Sequence, residues 1–209
     1  MQTHAKTLIA AGITALLCLG CAATPAGVTR VSVNEQIDLT GRWNDTDART
    51  VCAALIGKCL ESPRVSKFVS DYKAKNKGRA PAVIVGTFRN TSSEHIDTTI
   101  ISRAMEVAIQ NDGRLDFVAG GEELQEMRAL REDQLSNASE ATAAALGNET
   151  GADLVLTGEV KAIVETLGGE QVRSYFVSAA ITDIETTVRL WTGDDDSIKK
   201  YIKRPKVKL

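Results

Sequence analysis

Histidine, proline, cysteine and aromatic residues are all scarce in this chain. Of 209 residues two are histidine and four are cysteine, too few for a zinc cluster or a disulfide framework. Four prolines and 16 glycines exclude a collagen-like or low-complexity body. Neither charge sign dominates: 25 basic against 27 acidic residues leave a net charge of −2. That removes the basic surplus of a general nucleic-acid binder and the high net charge of a disordered chain. No glycine-rich loop carries the lysine that phosphate binding requires. No serine sits in a nucleophile-elbow motif, and no segment repeats. What is present is 43% hydrophobic and 4% aromatic residues, over a length that suits one domain plus an appendage.

The appendage is at the N-terminus. Residues 1–6 carry one positive side chain, Lys6, and Thr7–Leu19 is an apolar run of signal-peptide length, short for a bilayer span. It ends Leu17-Cys18-Leu19-Gly20-Cys21. A small residue before a cysteine directly after such a run resembles a bacterial lipobox, although the leucine sits one place earlier than usual. The expectation is cleavage after Gly20 and lipidation of Cys21. The alternatives are an ordinary secretory signal and an uncleaved anchor. Several acyl chains, at about 0.8 kcal/mol per buried methylene, hold a protein on a membrane stably. Ala22 in place of Asp after the cysteine favours the outer membrane. The glycan-acceptor patterns at Asn44, Asn90, Asn137 and Asn148 carry little weight in such a protein.

The chain divides into a signal peptide (1–20), a short tether (21–36), a domain (37–193) and a basic C-terminal tail (194–209). Ile37–Trp43 reads as a short strand or an extended lead-in. Asn44 and Asp47 suit a helix start, and Val51, Cys52, Leu55, Ile56, Cys59 and Leu60 follow at helical spacing. Pro63 ends or bends this helix, and another covers Val65–Lys75. Ala82–Phe88 is a strand. Asp97–Gln110 is a helix with Ile100, Ile101, Ala104, Val107 and Ala108 inward, stopped by Asn111-Asp112-Gly113. A strand at Leu115–Ala119, a charged helix at Glu122–Gln134 and an Ala-rich helix from Ser139 to near Gly151 come next. Asp153–Glu165 and Gln171–Ile184 form a hairpin about Gly168-Gly169, and Val188–Gly193 pairs back. Early alternation of helices and strands followed by a meander predicts an α+β sandwich, a mixed sheet with packed helices.

Four stretches in order carry a resemblance: Gly41-Arg42-Trp43-Asn44-Asp45-Thr46-Asp47; Val83–Gly86 running into Arg89–Thr98; Ser139-Glu140-Ala141 through Gly151–Gly158; and Asp183–Thr186 ending in Leu190–Gly193. Together with the lipobox they resemble the LpoB family of outer-membrane lipoproteins. The resemblance spans roughly Ile37–Gly193. It implies a fold similar to the N-terminal domain of TolB, no enzymatic activity, no cofactor or metal, and a bifunctional penicillin-binding protein as the partner activated. Its localisation would be the outer membrane, lipid-anchored and facing the periplasm. Two departures bear on the partner. The tether holds one proline, Pro25, and at roughly 3.3 Å per residue reaches only about 50 Å. The Gly41–Asp47 block also belongs to a different branch from the enterobacterial members. The related alternative is an envelope assembly lipoprotein with a CsgG-like or TolB-like domain.

Arg89, Asn90, Thr91, Ser92, Ser93, Glu94 and His95 are the candidate partner-binding residues. His95, with Ser92, Ser93 and Asp97 nearby, invites a hydrolase or metal reading. The plainer reading is a polar strand-to-helix loop that caps the next helix, since a triad is made by geometry and not by adjacency. Cys52 and Cys59 are about 10 Å apart along a helix, too far for a disulfide, and read as core thiols. Trp43 and Trp191 read as core filling, with a surface anchor the minority reading. The tail carries Lys199, Lys200, Lys203, Arg204, Lys206 and Lys208 and no acid from Ser197 onward, whereas Cys21–Asp196 carries 18 basic and 27 acidic residues. Such a tail is either a frayed, solvated end or a contact for anionic lipid or an acidic partner.

Overall fold

The computed structural model describes residues 29–32, 35–137 and 150–203. Contacts divide the chain after Glu35. Of the first unit, residues 29–32 and 35 are described; they are exposed, and Glu35 N–H donates to the Ser32 carbonyl at 3.0 Å. The expected signal peptide, Cys21, most of the tether and most of the Ala-rich helix lie outside the described residues.

In the second unit, helix α1 (Asp45–Glu61) starts where the caps predict. The Asn44 side chain accepts from Asp47 N–H at 3.0 Å, and the Asp47 carboxylate accepts from Asn44 N–H at 3.0 Å. Its buried face includes all six predicted apolar positions from Val51 to Leu60. Ser62 then closes α1 and caps α2 (Pro63–Lys75), with Pro63 in the first turn, where its missing N–H costs nothing. Helix α3 (Thr98–Asp112) is capped by Asp97 and stopped by Gly113. Helix α4 (Gly121–Asn137) is exposed through Leu135 except at Leu124 and Arg131, which are half-buried.

The strands are β1 (Ala82–Asn90), β2 (Asp116–Phe117), β3 (Leu154–Leu167), β4 (Glu170–Asp183), β5 (Arg189–Asp195) and β6 (Lys199–Lys203). They form one mixed sheet of order β2-β1-β3-β4-β5, with β6 also paired to β4. β1 runs parallel to β2 and β3; β3, β4, β5 and β6 pair antiparallel. The fold is α+β, as expected. Leu154, Leu156 and Val160 of β3 and Val177, Ala179 and Ile181 of β4 are buried, and they join α1 and α3 side chains in one core. The close fit depends on Gly158. A side chain there would collide with the Phe88 ring and the Ser178 carbonyl, and β1 shifts register between Val85 and Phe88 at this point.

Of the two readings of Ile37–Trp43 the strand is absent: the lead-in bends at residues 39–42, with Gly41 at φ +64°. Three expectations are corrected. β2 has two residues, not five. In α3 the core takes Ile101, Met105 and Ile109, leaving Ile100 and Val107 51% and 43% exposed. The tail does not begin at residue 194. β5 continues to Asp195, and β6 is a sheet strand because its backbone finds the free side of β4, from Glu170 to Ser174.

Candidate functional site

The loop between β1 and α3 is held by its own polar side chains. Thr91 N–H and hydroxyl both donate to the Val160 carbonyl, at 2.9 and 3.1 Å, and so tie the loop to β3. The Asn90 amide carbonyl accepts from Ser92 N–H and hydroxyl at 2.9 and 2.6 Å, while the Asn90 amide nitrogen donates to the Glu94 carbonyl at 2.7 Å. Such side-chain bonds replace the ladder that a loop lacks.

Glu94 turns inward. Its carboxylate accepts from Arg173 Nη1 at 2.6 Å and from the Tyr175 hydroxyl at 2.9 and 3.0 Å. The Glu94 and Arg173 side chains are only 9% and 13% exposed, so this is a buried ion pair spanning loop and β4. Burial, and then the bond to Glu94, pushes the Tyr175 hydroxyl up to about 12. The Tyr175 ring also meets Trp43, centroids 5.3 Å apart. Trp43 and Trp191 both pack against the core, in line with their reading as filling.

The seven candidate residues therefore divide by exposure. Asn90, Ser92 and Glu94 are half-buried and committed to bonds within the protein, as is the exposed Thr91. Arg89, Thr91, Ser93 and His95 are exposed. Among the described residues His95 makes no hydrogen bond to Ser92 or Ser93, so the serine-histidine arrangement is not assembled. Asp97 serves as the α3 cap; its bonds from the Thr99 hydroxyl and N–H hold its carboxyl below the usual range. Among the described residues no three His, Cys, Asp or Glu side chains come together as a metal site. Cys52 and Cys59 are free and buried, and burial pushes each thiol up to about 12, which makes them inert.

Of the basic residues of the C-terminal segment, Lys199, Lys200 and Lys203 are described, and their surroundings differ. Lys200 is 8% exposed. Its ammonium pairs with Asp47, meets Asp38 at 2.6 Å and donates to the Arg42 carbonyl at 2.9 Å. It fastens the lead-in to α1 and is unavailable to an anionic surface. Lys199 and Lys203 are exposed, the latter 3.4 Å from Glu170. Arg204, Lys206 and Lys208 lie outside the described residues.

Sequence reasoning missed two surfaces. Ile100, Ala104, Val107 and Ala108 of α3 line an open apolar groove with Ala53 of α1. The seven-residue spacing of Ile100 and Val107 was the signal for a second apolar row. Arg89 and Arg189 also flank a shallow groove floored by Thr157, Gly158, Ser178 and Ala180, on the sheet face whose side chains alternate with the core positions.

The pattern of the family described as peptidoglycan-synthase activator LpoB matches residues 47–196. The fold is similar to the LpoB C-terminal domains of Escherichia coli (TM-score 0.43) and Salmonella enterica (TM-score 0.40), each at 13% identity and covering 76% of this chain and 99% of that one. It is also similar to lipoprotein GNA1162 of Neisseria meningitidis, at 17% identity and a TM-score of 0.38, covering 61% of this chain and 88% of that one. No curated protein sequence matches. No described helix is long and apolar enough to cross a membrane. By the match over residues 47–196, the chain belongs to the LpoB family of peptidoglycan-synthase activators.

Proposed function

We propose that this protein is a non-enzymatic lipoprotein, anchored through Cys21 to the outer membrane and facing the periplasm, that binds a bifunctional penicillin-binding protein and raises its rate of peptidoglycan synthesis. The family match is the observation that carries the reading. The bonds within the β1–α3 loop support a docking role. A loop already fixed by Glu94–Arg173 and Asn90–Ser92 has little conformational entropy left to lose on binding. Arg89, Thr91, Ser93 and His95 form the docking surface, and the chemistry belongs to the partner. Activation then requires tighter binding to the active state of the synthase than to its resting state.

Photo-crosslinking from residue 95 in native envelopes, followed by identification of the captured proteins, tests the assignment. Capture of a penicillin-binding protein supports it. Efficient capture of other proteins alone overturns it.

A further inference from the structure

The β3–β4 hairpin outruns the rest of the sheet on one side. β1 accompanies β3 only as far as the Asn90–Val160 pair, where Thr91 N–H closes the ladder on the Val160 carbonyl. From Lys161 to Leu167 no described strand lies on that side of β3. The edge is apolar for its length: Ile163, Val164 and Leu167 are 55%, 38% and 85% exposed. It contains no proline, and its pairing with β4 runs without a bulge. Its two charges, Lys161 and Glu165, are of opposite sign. An edge without these blocking devices is open to another strand.

The orientation of the backbone groups follows from Val160. Its carbonyl faces β1, and backbone groups alternate sides along a strand. Ala162, Val164 and Thr166 therefore aim their N–H and C=O groups outward, while Lys161, Ile163 and Glu165 aim theirs at β4. Pairing with an identical edge, antiparallel about a twofold axis, is then confined to few registers. A shift of one residue sets outward groups against inward ones. Centring on Glu165 opposes two glutamates. Centring on Ile163 drives Thr166 of one copy against Val160 of the other, where Thr91 already sits.

Centring on Val164 avoids all three faults. Ala162 meets Thr166, Val164 meets Val164, and every outward group finds a partner. Lys161 lies opposite Leu167 and diagonal to Glu165, within reach of a long side chain. Ile163 lies diagonal to both Ile163 and Leu167 of the other copy, so the exposed apolar side chains cover one another. All seven open residues are used.

We propose that residues 161–167 of β3 pair antiparallel with the same residues of a second copy, joining the two sheets across a twofold axis at Val164. The test is sedimentation velocity on the full chain in mild detergent, from micromolar to hundreds of micromolar. Val164→Pro removes an outward N–H and the Val164 side chain without removing a donor from the β4 ladder. A double variant, Ile163→Lys with Leu167→Lys, places like charges on the edge without touching the backbone. A concentration-dependent dimer whose dissociation constant rises about tenfold or more in both variants, with unchanged far-UV circular dichroism, supports the proposal. A monomer throughout the range, or a dimer that neither variant weakens, overturns it.

Discussion

Strands β3 and β4 are each 14 residues long, yet their two halves live in different surroundings. In the proximal half, Leu154, Leu156 and Val160 face Val177, Ala179 and Ile181 beneath α1 and α3, all nearly inaccessible. In the distal half, Ile163 to Leu167 are exposed, and β6 is the only described strand that accompanies the hairpin, on the β4 side. One regular antiparallel ladder runs through both halves without a register shift. The ladder between β3 and β4 is the same in each, but in the proximal half β3 also bonds to β1 and its side chains are buried, whereas in the distal half that second edge has no described strand beside it. The proximal half supplies stability and the distal half supplies surface. The β1–α3 loop sits where the two meet, anchored to β3 at Val160 and to β4 at Arg173.

Mutations can break this contrast. The largest loss is expected at the junction. Glu94→Ala leaves the Arg173 guanidinium buried and unpaired and should cost about 3–5 kcal/mol in urea denaturation. Replacing both residues with apolar side chains of similar volume should restore much of that. In the proximal half, Leu156→Ala opens a cavity and should cost about 2–5 kcal/mol by the same measurement. In the distal half, Leu167→Ser should change stability by no more than about 0.5 kcal/mol, because an exposed side chain has little burial to lose. A distal loss as large as the proximal one would erase the distinction.

A pH experiment sharpens the contrast at the end of β5. Burial opposes ionisation of Asp195, but bonds from the Ser197 hydroxyl and N–H and from Lys58 outweigh it, so its carboxyl stays below the usual range. A carboxyl depressed in the folded state contributes stability that is present above its unfolded pKa and lost as pH falls through the folded one. The window is therefore below about pH 4. Asp195→Asn should flatten the acid limb of a thermal-unfolding profile measured across that range, and an unchanged slope would remove Asp195 from the account.

Much of this fold was legible because its signals are local. Asn44 with Asp47, Ser62-Pro63, Asp97 and Gly113 announce helix ends within a few residues. The apolar row of α1 announces its buried face. Gly168 and Gly169, both at positive φ, supply the mirror-image turn that a two-residue hairpin needs. The failures come from long-range facts. β6 is rich in lysine, and only the vacant side of β4 makes it a strand. Lys200 reads as one member of a basic run until Asp38 and Asp47 close around it. In α3 the sequence puts Ile100, Ile101, Ala104, Val107 and Ala108 on one inward face, but packing buries Ile101 with Met105 and Ile109 and leaves Ile100 and Val107 exposed. Within the β1–α3 loop, the division into scaffold and surface depends on Arg173 and Tyr175, some 80 residues further along the chain.

The proposed function depends on the exposed half of the loop acting on a synthase. The direct measurement is the glycan-polymerisation rate of a purified bifunctional penicillin-binding protein from the same envelope, titrated with the full chain and with an Arg89→Glu, His95→Glu variant. A saturable rise in rate is expected with the native chain, and a rise lost or shifted to much higher concentration with the folded variant. A rate indifferent to the native chain, or raised equally by both, would contradict it.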